Sequence, residues 1–111
     1  MNVSEEKIDN ALVLKVSGRI DSSTAPDLQT HLMDCIGRAP TILIDLAETD
    51  YMSSAGLRVI LMGAKTCKKD ARQFGLCCLQ ESVHEVFEIS GFLSIIQAFA
   101  TREEALQALA G

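Results

Sequence analysis

The 111-residue sequence predicts an α/β fold, a mixed and mostly parallel sheet of about five strands with about four helices packed on it. Three observations predict it. From Leu12 onward, short runs of branched apolar residues alternate with segments whose apolar residues recur every three or four positions. A further strand-like run precedes them, set off by the turn pair Asp9-Asn10. No linker, low-complexity stretch or internal repeat divides the chain, so residues 1–111 are expected to form one domain.

Val3 to Ile8 and Leu12 to Val16 read as strands, and Gly18 to Ser23 carries turn residues. Leu28, Leu32 and Ile36 then mark one face of a helix. Thr24, Pro26 and Asp27 suit its start, because proline fits the first turn and an acid favours the positive helix end. Gly37 and Pro40 close it. Thr41 to Leu46 has the branched, continuous character of a buried strand, followed by a polar stretch from Glu48 to Ser54. Leu57, Ile60, Leu61 and Ala64 mark a second helix, ending at Lys68-Lys69-Asp70. Phe74 to Leu79 is another strand. Ser82-Val83-His84-Glu85 matches a capping box, so a third helix is expected there, burying Val83, Val86 and Phe87 and stopping at Gly91. Ile95 to Phe99 reads as the last strand. Thr101-Arg102-Glu103-Glu104 is a second capping box, opening a helix that buries Ala105, Leu106 and Leu109.

Composition narrows the function. Hydrophobic residues are 48% and charged residues 23%, which is globular rather than disordered usage. A net charge of -5 argues against binding a nucleic-acid backbone or an anionic membrane surface, and favours a monomer when free. With one Tyr, four Phe and no Trp, there is also no stacking platform for bases. No apolar run is long enough to span a bilayer, and Met1 to Lys7 has neither a basic nor an apolar leader region, so a cytoplasmic protein is expected. Cys35, Cys67, Cys77 and Cys78 form no C-x-x-C pair. On a strand, Cys77 and Cys78 would face opposite sides of the sheet. Reduced, buried or half-buried thiols and no bound metal are the expectation.

No catalytic apparatus is visible. The chain lacks a G-x-G-x-x-G fingerprint, a Walker lysine loop and a G-x-S-x-G elbow. His31 and His84 sit on helices without a partner pattern, and Glu85, Glu103 and Glu104 fall at helix starts. No cofactor is expected, and no nucleophile–base pair can be named.

The informative stretch is Asp50-Tyr51-Met52-Ser53-Ser54-Ala55-Gly56-Leu57-Arg58. It opens a helix directly after a buried strand, at the carboxyl edge of a parallel sheet where function usually resides. A helix N-terminus presents unpaired N–H groups and a positive dipole end that tolerate an anion. One of Ser53 and Ser54 serves as the N-cap. Capping does not account for Ala55-Gly56 in the first turn, where glycine costs about 1 kcal/mol relative to alanine. Small residues there would let another backbone approach closely. Capping and function both remain open on the residues alone.

Tyr51-Met52-Ser53-Ser54-Ala55-Gly56-Leu57 resembles the signature of STAS domains, in particular the stand-alone anti-sigma factor antagonists. Gly18-Arg19-Ile20-Asp21-Ser22, at the end of the second strand, is similar to a second feature of that family. Gly91-Phe92-Leu93, leading to Ile95 and the Glu-Glu-Ala-Leu helix start, continues the likeness, which covers essentially the whole chain in order. The resemblance implies that Ser54 is the phosphorylated residue, with Ser53 as the alternative. It implies that Asp21 lines the same surface, and that Ser22, Ser53, Ala55, Gly56, Leu57 and Arg58 join Asp21 and Ser54 in contacting a partner. Ser53 stands where many members have Asp, and Ala55 where many have Ser or Thr.

The resemblance also implies the mechanism. Unphosphorylated, such a protein binds an anti-sigma factor that is a serine kinase of the ATPase type and frees that factor's client. Phosphorylation breaks the contact, and a serine phosphatase restores it. Two other functions are compatible with the sequence: a STAS scaffold of a signalling complex that is never phosphorylated, and a nucleotide or small-anion sensor using Asp21 and the Ser54 helix start.

Overall fold

A computed structural model describes residues 1–110. Its elements run β1 (Asn2–Ile8), β2 (Ala11–Ile20), α1 (Ala25–Ile36), β3 (Thr41–Met52), α2 (Ser54–Lys69), β4 (Gln73–Cys77), α3 (Glu81–Ile89), a 3-10 turn (Phe92–Ser94), β5 (Gln97–Phe99) and α4 (Arg102–Ala110). The five strands form one sheet in the order β1-β2-β3-β4-β5, with β1 antiparallel to β2 and every later pair parallel. The β1–β2 hairpin closes on the two residues Asp9 and Asn10, with Asp9 at φ 53. Asparagine and aspartate tolerate that left-handed conformation better than other side-chain-bearing residues, which is why this pair signals a tight turn.

The period-2 alternation of the central strands decides the layers. Leu12, Leu14 and Val16 of β2 and Ile42, Ile44 and Leu46 of β3 join a core with α1, α2 and α3. Val13, Leu43 and Cys77 point to the other face, where Ala105 and Leu109 of α4 cover them. A strand-to-strand crossover in a parallel sheet is right-handed, and each successive crossover here moves the same way along the sheet. The three intervening helices therefore share one face, and α4, which follows the last strand, takes the other.

Helices α1 and α2 touch closely at Gly63, where a Cβ would lie 2.5 Å from Leu32 Cδ2. Helix α2 ends in a Schellman motif: Arg72 N–H donates to Cys67 O at 2.7 Å and Ala71 N–H to Lys68 O at 3.3 Å. This geometry places Ala71 at φ 57, where a side chain costs about 1–2 kcal/mol. Ala71 is exposed, so removing its methyl loses no packing. Ala71→Gly is expected to stabilise the fold by about 0.5–1 kcal/mol after glycine's added unfolded-state entropy, raising Tm by several degrees in a calorimetric scan.

Several boundaries differ from the sequence expectation. Gly18 to Ile20 and Glu48 to Met52 are strand, not turn and loop, because β2 and β3 stay paired to Ile20↔Met52. The register shifts twice on the way, between Lys15 and Ser17 and between Gly18 and Arg19, with β3 supplying an extra residue each time. Asp45 Oδ1 accepts from Ala47 N–H at 3.0 Å, and the buried Thr49 hydroxyl donates to Val16 O at 2.7 Å, which pins this irregular stretch. Ser82 caps nothing: α3 starts at Glu81 with Gln80 as its N-cap residue, and the Gln80 amide reaches across to Ala47 O at 3.0 Å. Thr101 does cap α4, accepting from Glu104 N–H at 3.1 Å. Ile95 and Ile96 belong to the close of the 3-10 turn, which shortens the last strand to Gln97–Phe99. Val86 and Leu106 are half-buried at the margins of the two cores.

The two adjacent thiols also depart from expectation. Cys77 is the last residue of β4, and Cys78 beyond it takes φ 63. Strand alternation therefore does not apply to the pair. Both sulfurs lie within 4.8 Å of each other and of an Asp45 carboxylate oxygen.

Candidate functional site

The carboxyl ends of β2 and β3 are tied together by a hydrogen bond from Ser53 N–H to Ile20 O at 2.9 Å. That bond brings the β2–α1 loop beside the start of α2. Ser53 has an extended backbone and its hydroxyl accepts from Gly56 N–H at 3.3 Å, so Ser53 is the N-cap of α2. Ser54 is the first helical residue and is exposed. The pair thus divides its roles: one serine holds the helix start, and its neighbour presents a hydroxyl to solvent. No acidic residue occupies the first turn of this 16-residue helix, so its positive end has no carboxylate of its own there.

Asp21 organises the facing loop. Its Oδ1 accepts from Ser23 Oγ at 2.7 Å, Ser23 N–H at 3.0 Å and Thr24 N–H at 3.1 Å, while Asp21 N–H donates to Thr24 Oγ1 at 2.8 Å. The side-chain acceptor at the start of α1 is therefore Asp21, and Thr24, the N-cap residue by position, makes no side-chain cap bond. The Ser23 hydroxyl, helped by the two backbone N–H groups, holds the Asp21 carboxyl below the usual carboxylate range. It stays charged as the pH falls through the ordinary range. The order it gives the loop is present above the unfolded pKa and is lost only as pH drops through the depressed folded value.

Of the residues expected at a partner surface, Ser22, Ser54 and Arg58 are exposed, and Asp21, Ser53 and Ala55 are half-buried. Gly56 and Leu57 are buried, so their side-chain positions face the core rather than a partner. A Cβ on Gly56 would lie 2.5 Å from Met52 Sδ and 2.6 Å from Ile20 Cγ2. The absent side chain makes room for this protein's own strands, which corrects the expectation that it leaves space for another backbone. Overpacking of this kind costs roughly 1–3 kcal/mol, which exceeds the roughly 1 kcal/mol that alanine gains in a helix interior. Gly56→Ala is therefore expected to lower the urea midpoint without changing the slope of the transition.

A shallow groove of about 280 Å³ runs between the starts of α1 and α2, lined by Pro26, Gln29, Ala55, Arg58, Val59 and Met62 among others. Its volume falls just short of the roughly 300–1,000 Å³ of small-molecule pockets. Beside it lies a feature the sequence did not disclose. The Arg19 guanidinium sits 4.1 Å from the centroid of the exposed Tyr51 ring and 3.8 Å from Asp21 Oδ2. The parallel register places Arg19 opposite Tyr51, so the signal was present only in the pairing of two distant strand ends.

Comparison with known proteins shows the family of the chain and agrees with its fold. The family model for the STAS domain matches residues 2–105. BtrV of Bordetella bronchiseptica, whose name carries the anti-sigma factor antagonist designation, is 39% identical over 109 residues, 97% of this chain and 94% of its own. The anti-sigma-B factor antagonist of Bacillus subtilis is 30% identical over 107 residues, 96% of this chain and 98% of its own. The anti-sigma factor antagonist SpoIIAA of Bacillus shares the fold, with a TM-score of 0.83 in its unphosphorylated form and 0.74 in its phosphorylated form, at 21% identity in both. The unphosphorylated form aligns over 99% of this chain and 97% of its own, the phosphorylated form over 96% and 98%. With a family match over nearly its full length and close relatives on both sides, this chain belongs to the STAS domain family.

Proposed function

We propose that this protein is an anti-sigma factor antagonist that works as a phosphorylation-gated binding switch. The exposed Ser54 hydroxyl, freed from capping by Ser53, carries this reading. The names of the relatives support it, as does the existence of SpoIIAA in both unphosphorylated and phosphorylated forms. In the unmodified state the rim formed by Asp21, Ser22, Ser54, Ala55 and Arg58 docks on an anti-sigma factor, which is also a serine kinase of the ATPase type. That factor then releases its client. Gly56 and Leu57 contribute by fixing where the helix start lies.

The kinase supplies nucleotide, metal and catalytic base, and this chain supplies a hydroxyl and a shape. It is a ligand and a substrate, not a catalyst. Transfer of the γ-phosphoryl group to Ser54 Oγ breaks the bond to ADP and forms the phosphoester, with the hydroxyl proton passing to the kinase base. The phosphate adds a charge of about −1.5 to −2. At the end of α2 this charge meets a favourable dipole, so the fold persists. Inside a close-packed interface it meets steric conflict and loses hydration, so the complex separates. A serine phosphatase resets the cycle, and the whole sequence takes place in the cytoplasm on a protein that is monomeric when free.

Incubation with the cognate kinase and ATP tests this reading by intact mass and peptide mapping. One phosphate on Ser54 is expected. Modification at Ser53 alone, or no modification by a kinase that demonstrably binds the protein, would overturn it.

A further inference from the structure

Cys77, Cys78 and Asp45 stand apart from the Ser54 rim and have no part in the switch proposed above. Asp45 pairs with Cys77 in the β3–β4 register, so their side chains leave the sheet on the α4 face together. Cys78 would point to the opposite face if the strand continued. Its left-handed backbone, at φ 63, turns the second thiol toward the first. A non-glycine residue in that conformation carries strain, which the surrounding structure must hold in place. Cys78 N–H donates to Phe99 O at 3.1 Å, which supplies part of that hold. The result is two sulfurs and a carboxylate oxygen within 4.8 Å of one another.

We propose that Cys77, Cys78 and Asp45 form a binding site for a single soft, thiophilic divalent metal ion of the zinc class. The donor set fits that chemistry, because thiolates select soft or borderline ions and a tetrahedral site accepts two sulfurs, one carboxylate oxygen and a water. Charge fits as well. Two thiols release their protons to solvent as the ion arrives, so a dication replaces two protons and the net charge of the site is unchanged. Arg102 neutralises the carboxylate before and after, through a 2.9 Å contact from Nη2 to Asp45 Oδ2. Asp45 Oδ1 is held by Ala47 N–H, so the ligand carboxylate already has the outer hydrogen bonds that metal-binding carboxylates use for orientation. Cys77 and Asp45 are buried and Cys78 is half-buried, so the ion enters from the Cys78 side.

The other two cysteines provide internal controls. Among the described residues Cys67 belongs to no such cluster, and burial pushes its thiol up to about 11, as burial also raises Cys77. Cys35 is buried beside Glu5 and Asp34, a cluster that offers one sulfur rather than two, and burial raises this thiol to about 12.

The test is titration of the reduced, tag-free protein with Zn²⁺ under calorimetry, and with Cd²⁺ while following the ultraviolet thiolate-to-cadmium band. One ion per chain is expected, with two protons released per ion. Cys78→Gly removes one ligand and relieves the left-handed strain, so it should fold at least as stably as the parent protein while losing at least a hundredfold in affinity. Cys77→Ser should lose affinity similarly, with folding checked by circular dichroism. Cys35→Ser and Cys67→Ser should keep the parent affinity. Absence of the cadmium band in the parent protein, or parent-like affinity in a folded Cys78→Gly variant, would overturn the site.

Discussion

A Ser54→Asp variant is expected to bind the cognate anti-sigma factor at least a hundredfold more weakly than the parent protein, while Ser54→Ala binds as tightly and cannot be switched off. A hundredfold corresponds to about 2.8 kcal/mol. This is a modest requirement for one carboxylate forced into a desolvated contact without a partner, which costs several kcal/mol. The variant should retain the parent Tm, because an acid in the first turn of α2 is favoured by the helix end and Ser53 still caps it. Surface plasmon resonance on the immobilised factor, together with a thermal scan, separates the two effects. A Ser54→Asp protein that binds normally would show that the helix start lies outside the interface. One that binds weakly because it has unfolded would show that Ser54 is structural.

The largest expected change in stability is elsewhere. Arg102→Ala should destabilise the fold by about 2–3 kcal/mol. Arg102 links α4 to two strands, with Nη2 on Asp45 Oδ2 and Nη1 on Glu6 Oε1, both at 2.9 Å. The Asp45 side chain is only 7% exposed, so removing the cation leaves a buried carboxylate whose remaining hydrogen bond is from Ala47 N–H. Breaking a fully buried pair from one side costs about 3–5 kcal/mol. The Arg102 side chain is 24% exposed, which lowers the figure. The double variant Arg102→Ala with Asp45→Asn should recover a substantial part of the loss, because the buried group is then neutral. Urea unfolding of the four proteins in the cycle measures the coupling directly. A cost under 1 kcal/mol for Arg102→Ala would mean that the contact is only a surface ion pair.

The parts of the molecule that sequence discloses are those set by a repeating local pattern. Leu12, Leu14, Ile42 and Ile44 announce buried strands, and Leu28, Leu32 and Ile60 announce helices that cover them; all are fully buried or nearly so. The end of β3 escapes the same logic. Ala47, Glu48 and Asp50 are exposed while Thr49 and Met52 are buried, because two bulges break the alternation that a strand should show. The division of labour between Ser53 and Ser54 depends on where that strand stops, so adjacent residues of one type could not reveal it. Asp21 could be read as an acid in a turn. The stack of Arg19 on Tyr51 beside it could not be read, since only the parallel register joins those two residues. Cys78 is the plainest case: nothing in a Cys-Cys dipeptide indicates that the second residue turns left-handed.

The uninterrupted march of strands from β1 to β5 has a consequence for how such a protein can act. Doubly wound sheets hold their cofactors in the crevice that opens where strand order reverses and neighbouring helices diverge to opposite faces. Here the order never reverses, so α1 and α2 stay on one face and only the shallow groove lies between their starts. What this layout presents is a low outer edge, a shape suited to contact with another macromolecule. Under the proposed switch, a molecule wound in this way communicates by touch, and a single added charge on that edge changes what it says.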